Sequence, residues 1–129
     1  MRSTIMICDD DPDIRAAMRR TLRGYDIVEA SSAQEGKRIL KTRRFDAVVS
    51  DFAMEEDGDG LDLLLFVKVQ QPETIRFLVT ASRDIDTATR AINEGSVHRY
   101  FLKPWNDEAI RAALEIVLHS RNWATVTCE

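Results

Sequence analysis

Hydrophobic residues follow two rhythms along this chain. Short unbroken runs (Ile5-Met6-Ile7-Cys8, Tyr25 to Ala30, Phe45 to Ser50, Ile75 to Thr80 and Arg99 to Leu102) alternate with longer stretches where apolar residues return every third or fourth position. The unbroken runs predict strands of a parallel sheet, buried on both faces. The spaced stretches predict amphipathic helices. Ile14, Ala17, Met18 and Leu22 form the first, with Asp11 as its cap, Pro12 in its first turn and Gly24 past its end. Ser32-Ala33-Gln34-Glu35 is a capping box that opens a second helix and turns Gly36, Ile39 and Leu40 inward. A third helix, Leu61 to Val69, stops before Pro72. The fourth begins near Ser82 or Asp84, buries Ile85, Ala88 and Ile92, and ends at Gly95. The fifth begins near Asn106 and carries the stripe Ile110, Ala113, Leu114, Val117 and Leu118. Five strand–helix units predict an α/β fold, one parallel sheet with helices on both faces. Past Arg121 the pattern fades, so residues 1–121 read as one domain and 122–129 as a C-terminal tail or a truncated linker.

Composition narrows the class. A chain of 129 residues suits one domain with a real core. Its formal charge of 18 − 22 = −4 offers no basic field, so nucleic acid is not expected as a partner of this chain. No apolar stretch approaches the ~20 residues of a membrane span, and Met1-Arg2-Ser3-Thr4 leads directly into a strand, so a cytoplasmic location is expected. Cys8 inside a strand and Cys128 in the tail fit neither a disulfide framework nor a zinc spacing, and Cys8 reads as a buried, inert thiol.

The polar residues that close the runs carry the chemistry. Asp9-Asp10-Asp11 follows the first, Asp51 the third, Thr80 the fourth and Lys103-Pro104 the fifth. Open α/β sheets place their sites at these carboxyl ends. Asp11 serves as a helix cap, but a cap needs only one acid. Two like charges ~4 Å apart cost roughly 4 kcal/mol at an effective dielectric of 20. Asp9, Asp10 and Asp51 are therefore expected to hold a hard divalent cation or to carry a raised pKa. Three carboxylates, one divalent cation and Lys103 sum to zero charge. Asp51 can act as a ligand or as a nucleophile toward a phosphoryl group. Taken alone, Thr80 reads first as a strand-end hydroxyl bonding the backbone, and Lys103 can read as a snorkelling side chain. A cis bond before Pro104 would aim that lysine at the carboxylates.

Together the stretches Ile5 to Pro12, Asp46 to Asp51, Phe77 to Ala81 and Tyr100 to Pro104 resemble the receiver domain of two-component response regulators, over about residues 4–120. The resemblance implies a flavodoxin-like (βα)5 fold with strand order 2-1-3-4-5. It further implies that Asp51 is the phosphoacceptor, and that Asp10 binds Mg²⁺ (or Mn²⁺) directly and Asp9 through water. The backbone carbonyl of Ala53 would complete the metal shell. Thr80 and Lys103 would hold the phosphoryl oxygens, and Tyr100 would be the aromatic switch that follows Thr80. A sensor histidine kinase or histidine phosphotransfer protein would be the donor. The protein would assist its own phosphorylation and dephosphorylation without multiple turnover. Output would pass to a downstream protein or a missing output domain, through the face of the fourth helix, fifth strand and fifth helix with Arg90, His98, Tyr100 and Trp105. That face, or the third helix, could also support a homodimer.

The chain departs from the family pattern after the acceptor. Glu55 stands where a proline is usual, and the loop is one residue longer. Glu55, Glu56, Asp57 and Asp59 read either as a solvated loop or as negative potential over the pocket. Ala53 and Ser82 are small, which would let water reach an acyl phosphate. The third helix, with Leu61, Leu63, Leu64, Leu65, Phe66, Val67 and Val69, has more apolar residues than one buried stripe needs, so it exposes a patch or packs closely under the loop. Two rival functions stand beside the receiver reading. One is a haloacid-dehalogenase-like phosphatase, suggested by Asp9-x-Asp11 after an apolar strand, which would need a further acidic pair on a later strand, whereas Asp107-Glu108 falls at a helix start. The other is a phosphate-independent adaptor, which would have no use for Asp10, Asp51, Thr80 and Lys103 together.

Overall fold

The structure is a computed structural model that describes residues 2–56 and 58–127, with side chains described to Ser120. Asp57 of the acidic loop and Cys128 of the tail lie outside the described residues. The elements run β1 Thr4–Cys8, α1 Pro12–Thr21, β2 Asp26–Ala30, α2 Ala33–Leu40, β3 Ala47–Asp51, α3 Asp59–Gln70, β4 Ile75–Thr80, α4 Ile85–Asn93, β5 Arg99–Leu102 and α5 Asp107–Thr127. A 3-10 turn, Ser82–Asp84, precedes α4. The five strands form one parallel sheet in the order β2-β1-β3-β4-β5. This is the flavodoxin-like topology expected from the sequence.

Side-chain alternation divides the core into two layers. Ile5, Ile7, Val49, Phe77 and Val79 face α1 and α5, where they meet Met18, Leu22, Ile110 and Leu114. Met6, Cys8, Val48 and Leu78 face α2, α3 and α4, where they meet Leu40, Leu63, Leu64, Val67 and Ala88. Both faces are covered, which is why the strands read as unbroken apolar runs.

Local signals explain the element ends. Asp11 caps α1 by accepting from the Asp13 N–H, with Pro12 in the first turn. Ser32 accepts from the Glu35 N–H, and Glu35 reaches back to Ser31 rather than to Ser32 itself. The Asn106 side chain accepts from the Ala109 N–H at the start of α5. α3 starts earlier than the apolar pattern suggests, because Gly58 takes φ +87° and turns the chain into the helix at Asp59. Of the apolar excess on α3, Leu63, Leu64 and Val67 are fully buried, and Leu65 (41% exposed) and Val69 (77%) face outward. Part of the excess is thus exposed, and the buried part packs into the layer between the helices and the sheet. The backbone of α5 continues to Thr127, past the point where the sequence pattern fades at Arg121. No helix among the described residues is long and apolar enough to cross a membrane.

Candidate functional site

Strand register gathers the polar chain segments at one edge of the sheet. Asp51 is the last residue of β3, paired with Val79, and Thr80 is the last of β4, paired with Leu102. Asp9 follows β1, and its N–H donates to the Ala30 carbonyl, continuing the ladder to β2. Lys103 follows β5, and its N–H donates to the Thr80 carbonyl at 2.9 Å. The Lys103–Pro104 peptide bond is cis. Asp9 and Asp51 are buried (3% and 8% exposed), whereas Asp10 is exposed.

Asp9, Asp10 and Asp51 each present a carboxylate oxygen within 4.8 Å of the others. The Lys103 ammonium lies 2.9 Å from Asp51 Oδ1 and 3.6 Å from Asp9 Oδ2. Burial, reinforced by the charge of Asp9, lifts the Asp51 carboxyl to about 6 even though Lys103 pulls the other way. Burial likewise raises Asp9, opposed by the hydrogen bond from the Asp11 N–H and by Lys103. Burial opposes the charge on Lys103, but its hydrogen bond and attraction to Asp51 win and raise its pKa. One ammonium cannot fully relieve two buried acids and a third beside them, so the cluster has capacity for more positive charge. Its donors are all hard carboxylate oxygens, with neither sulfur nor imidazole in the set, which fits Mg²⁺ or Mn²⁺.

The other predicted residues do not all lie at this edge, since His98 precedes the amino end of β5. Thr80 is fully buried, and its hydroxyl donates to the Ala81 carbonyl at 3.3 Å. Tyr100 is half-buried and packs into the α4-side layer, on the sheet face that Thr80 shares with Leu78. Ala53 is half-buried against the same layer, and Ser82 is exposed. A groove of about 530 Å³ runs along Ile92, Tyr100, Leu102, Pro104, Trp105 and Ala109, on the face expected to carry output. Arg90 is exposed, but His98 Nδ1 accepts from the Arg76 N–H at 3.0 Å, so that imidazole edge is engaged. Trp105 borders a void of about 10 Å³ that Asp9 and Asp51 also line. Asp107 stands at the start of α5, where the phosphatase reading has no use for it, and accepts from Thr21 Oγ1 (2.6 Å) and Trp105 Nε1 (3.1 Å). Cys8 is a free, buried thiol, and burial pushes it up to about 12.

Three contributors escape the sequence pattern. Asp59 ties the loop together, because its carboxylate accepts the N–H groups of Met54, Glu55 and Glu56. Gly60 packs so closely on the Asp51 backbone that a Cβ there would collide with the Asp51 carbonyl. An acid next to a glycine at a helix start signals a turn, but nothing in that spelling reveals the contact with Asp51. Arg15, one turn into α1, donates to the Asp9 carbonyl at 2.6 Å.

Comparison with known proteins agrees with this geometry. The family model described as the response regulator receiver domain matches residues 5–115. Transcriptional regulatory protein GlrR of Escherichia coli is 32% identical over 123 residues, covering 94% of this chain and 27% of that protein. Alginate biosynthesis transcriptional regulatory protein AlgB of Pseudomonas aeruginosa is 35% identical over 111 residues, covering 84% of this chain and 24% of that protein. The chain thus spans about a quarter of the length of these relatives. Among solved structures, the signal receiver domain of an HD domain-containing protein from Pseudomonas fluorescens Pf-5 superimposes with a TM-score of 0.84 at 29% identity, covering 96% of this chain and 92% of that one. Receiver domains as a family hold Mg²⁺ at an acidic pocket and work with histidine kinases and output domains, and the acid cluster here matches that chemistry. The chain belongs to the receiver domains of two-component response regulators.

Proposed function

We propose that Asp51 is the phosphoacceptor of this receiver and that the cluster around it is built for one phosphoryl transfer. The observation that carries the reading is the Lys103 ammonium bridging Asp51 Oδ1 and Asp9 Oδ2 beside a third carboxylate. Asp10 would hold Mg²⁺ or Mn²⁺ directly, Asp9 through water, with Asp51 and the Ala53 carbonyl completing the shell. The cation supplies charge neutralisation for the phosphoryl oxygens. The donor is a phosphohistidine of a sensor kinase or phosphotransfer protein.

An Asp51 oxygen attacks phosphorus, the P–N bond breaks, and the electron pair leaves with the imidazole nitrogen. Lys103, already within hydrogen-bond reach of Asp51, pairs with a phosphoryl oxygen as the charge moves outward. The Thr80 hydroxyl trades its bond to the Ala81 carbonyl for a second phosphoryl oxygen. That shift empties space on the sheet face shared with Tyr100, whose ring turns inward and alters the groove beside α4, β5 and α5. A downstream protein or an attached output domain reads that change. Hydrolysis of the acyl phosphate, open to water past Ala53 and the exposed Ser82, resets the site. The cellular setting proposed is the cytoplasm, where such kinases present phosphohistidine.

Intact-mass measurement with acetyl phosphate and Mg²⁺ tests the reading. The parent should gain one PO₃, and Asp51→Asn should gain none. Labelling of Asp51→Asn to the parent's extent, or a parent that never gains the mass from acetyl phosphate or a phosphohistidine donor, would overturn it.

A further inference from the structure

We infer that Arg15 is a positioning residue for cation binding, fixing the Asp9–Asp10 peptide before the cation arrives. The inference rests on the proposal that this cluster holds a divalent cation. Asp9 has little freedom. Its N–H donates to the Ala30 carbonyl, its Oδ1 accepts from the Asp11 N–H, and its Oδ2 faces Lys103. The remaining polar group, its carbonyl, accepts from Arg15 Nη1 at 2.6 Å.

That bond matters because the peptide unit is planar. Holding the Asp9 carbonyl fixes the whole Asp9–Asp10 plane and so the position of the Asp10 Cα. Asp10 is the exposed member of the acid cluster, and its direction is set by the backbone that carries it.

Arg15 is itself braced. Its Nε donates to Glu29 Oε1 at 3.1 Å, and Arg19 Nε donates to Glu29 Oε2 at 2.7 Å. The hydrogen bond from Arg19, with support from Arg15, holds the Glu29 carboxyl below its usual range. Glu29 sits on β2, opposite Ile7 of β1, so the brace is anchored in the sheet. Glu29 offsets only part of the positive charge, because one carboxylate is shared by the Arg15 and Arg19 guanidinium groups. Arg15 thus brings both geometry and residual charge to the site.

The two contributions have opposite signs. If Arg15 acted mainly as a nearby cation, removing it would tighten Mg²⁺ binding, most strongly at low salt. If it positions the peptide, removing it weakens Mg²⁺ binding at low and high salt alike. The test is Mg²⁺ titration of the whole chain by calorimetry and Trp fluorescence, beside thermal melts in chelator to verify folding.

Arg15→Ala should raise the Mg²⁺ dissociation constant about tenfold, as measured for lost supports behind metal ligands. Arg15→Lys, which keeps the charge but reaches one acceptor at a time, should recover part of that loss. Should Arg15→Ala fail to fold, Glu29→Ala gives the same information, with weaker binding that persists at about 0.5 M salt. Unchanged or tighter binding in Arg15→Ala, or a Glu29→Ala defect that disappears at high salt, would overturn the inference. A parent chain that binds no Mg²⁺ would instead overturn the cation site itself.

Discussion

Two polar clusters are buried at opposite edges of the same sheet, and they are built on opposite principles. Below the amino ends of β3 and β4, Gln71 accepts from the Phe45 N–H and from Thr74 Oγ1, and donates to the Leu40 and Arg43 carbonyls. Arg76 donates to the carbonyls of Pro72, Thr74, Gly95 and Ser96. Each donor there meets an acceptor, and the network is about closure. At the carboxyl edge, Asp9, Asp10 and Asp51 crowd together with one ammonium among them. The first cluster secures loops by satisfying hydrogen bonds; the second keeps like charges close, which costs stability and gives reactivity.

This contrast can be broken from either side. The largest expected effect is at the closed cluster: Gln71→Leu takes the partner from the Phe45 N–H and from the Leu40 and Arg43 carbonyls, while Thr74 keeps its bond to the Phe45 carbonyl, and should cost about 4 kcal/mol in denaturant melts. Cation binding should survive in the folded fraction.

At the open cluster the sign reverses. The Asp51 carboxyl is raised from 3.8 to about 6 by burial and by Asp9. An acid with a raised folded pKa favours the folded state at low pH, and that contribution fades as pH climbs from about 4 to about 6. Without metal, Asp51→Asn should therefore be more stable than the parent near pH 7 by up to about 3 kcal/mol. The advantage should vanish near pH 4. Melts in chelator across that range check it, and a gap independent of pH would contradict the strained-acid picture.

Gly60→Ala tests whether the open cluster depends on its backbone support. The added methyl meets the Asp51 carbonyl, so α3 must shift, at about 2 kcal/mol, and phosphorylation by acetyl phosphate should slow. The smallest effect belongs to the loop charges. Glu55 and Glu56 are exposed, and Glu55→Gln with Glu56→Gln should weaken Mg²⁺ binding by less than ~3-fold at low salt. At about 0.5 M salt the difference should disappear.

Local patterns carried most of the fold. β4 and β5 have the boundaries that their apolar runs suggest, and the caps at Asp11, Ser32 and Asn106 act as their residue types imply. The candidate site was legible too, because strand ends in a parallel sheet bring Asp9, Asp51, Thr80 and Lys103 to one edge whatever their spacing in the chain. What escaped was the particular partner each polar side chain takes, near or far along the chain. The Arg15 bond to Asp9, the Asp59 caps within its loop and the pin from Trp105 to Thr21 depend on rotamers and packing. Residue type alone does not encode these. The apolar excess of α3 was ambiguous for the same reason: Leu63 is buried partly because Gly36 of α2 leaves room for it, with a hypothetical Cβ only 3.2 Å from Leu63 Cδ1.

The seat of Gly60 against Asp51 also bears on protein engineering. The Gly60 N–H donates to the Phe52 carbonyl at 3.0 Å, so the stretch after the acceptor closes into a ring whose two ends already meet. Lengthening such a ring adds little closure entropy, since each doubling costs only about 0.6 kcal/mol. The segment therefore tolerates insertion: extra residues placed between Glu56 and Gly58 would re-sculpt the rim of the pocket while Met54 stays packed against the core and Asp59 keeps its hold on the loop.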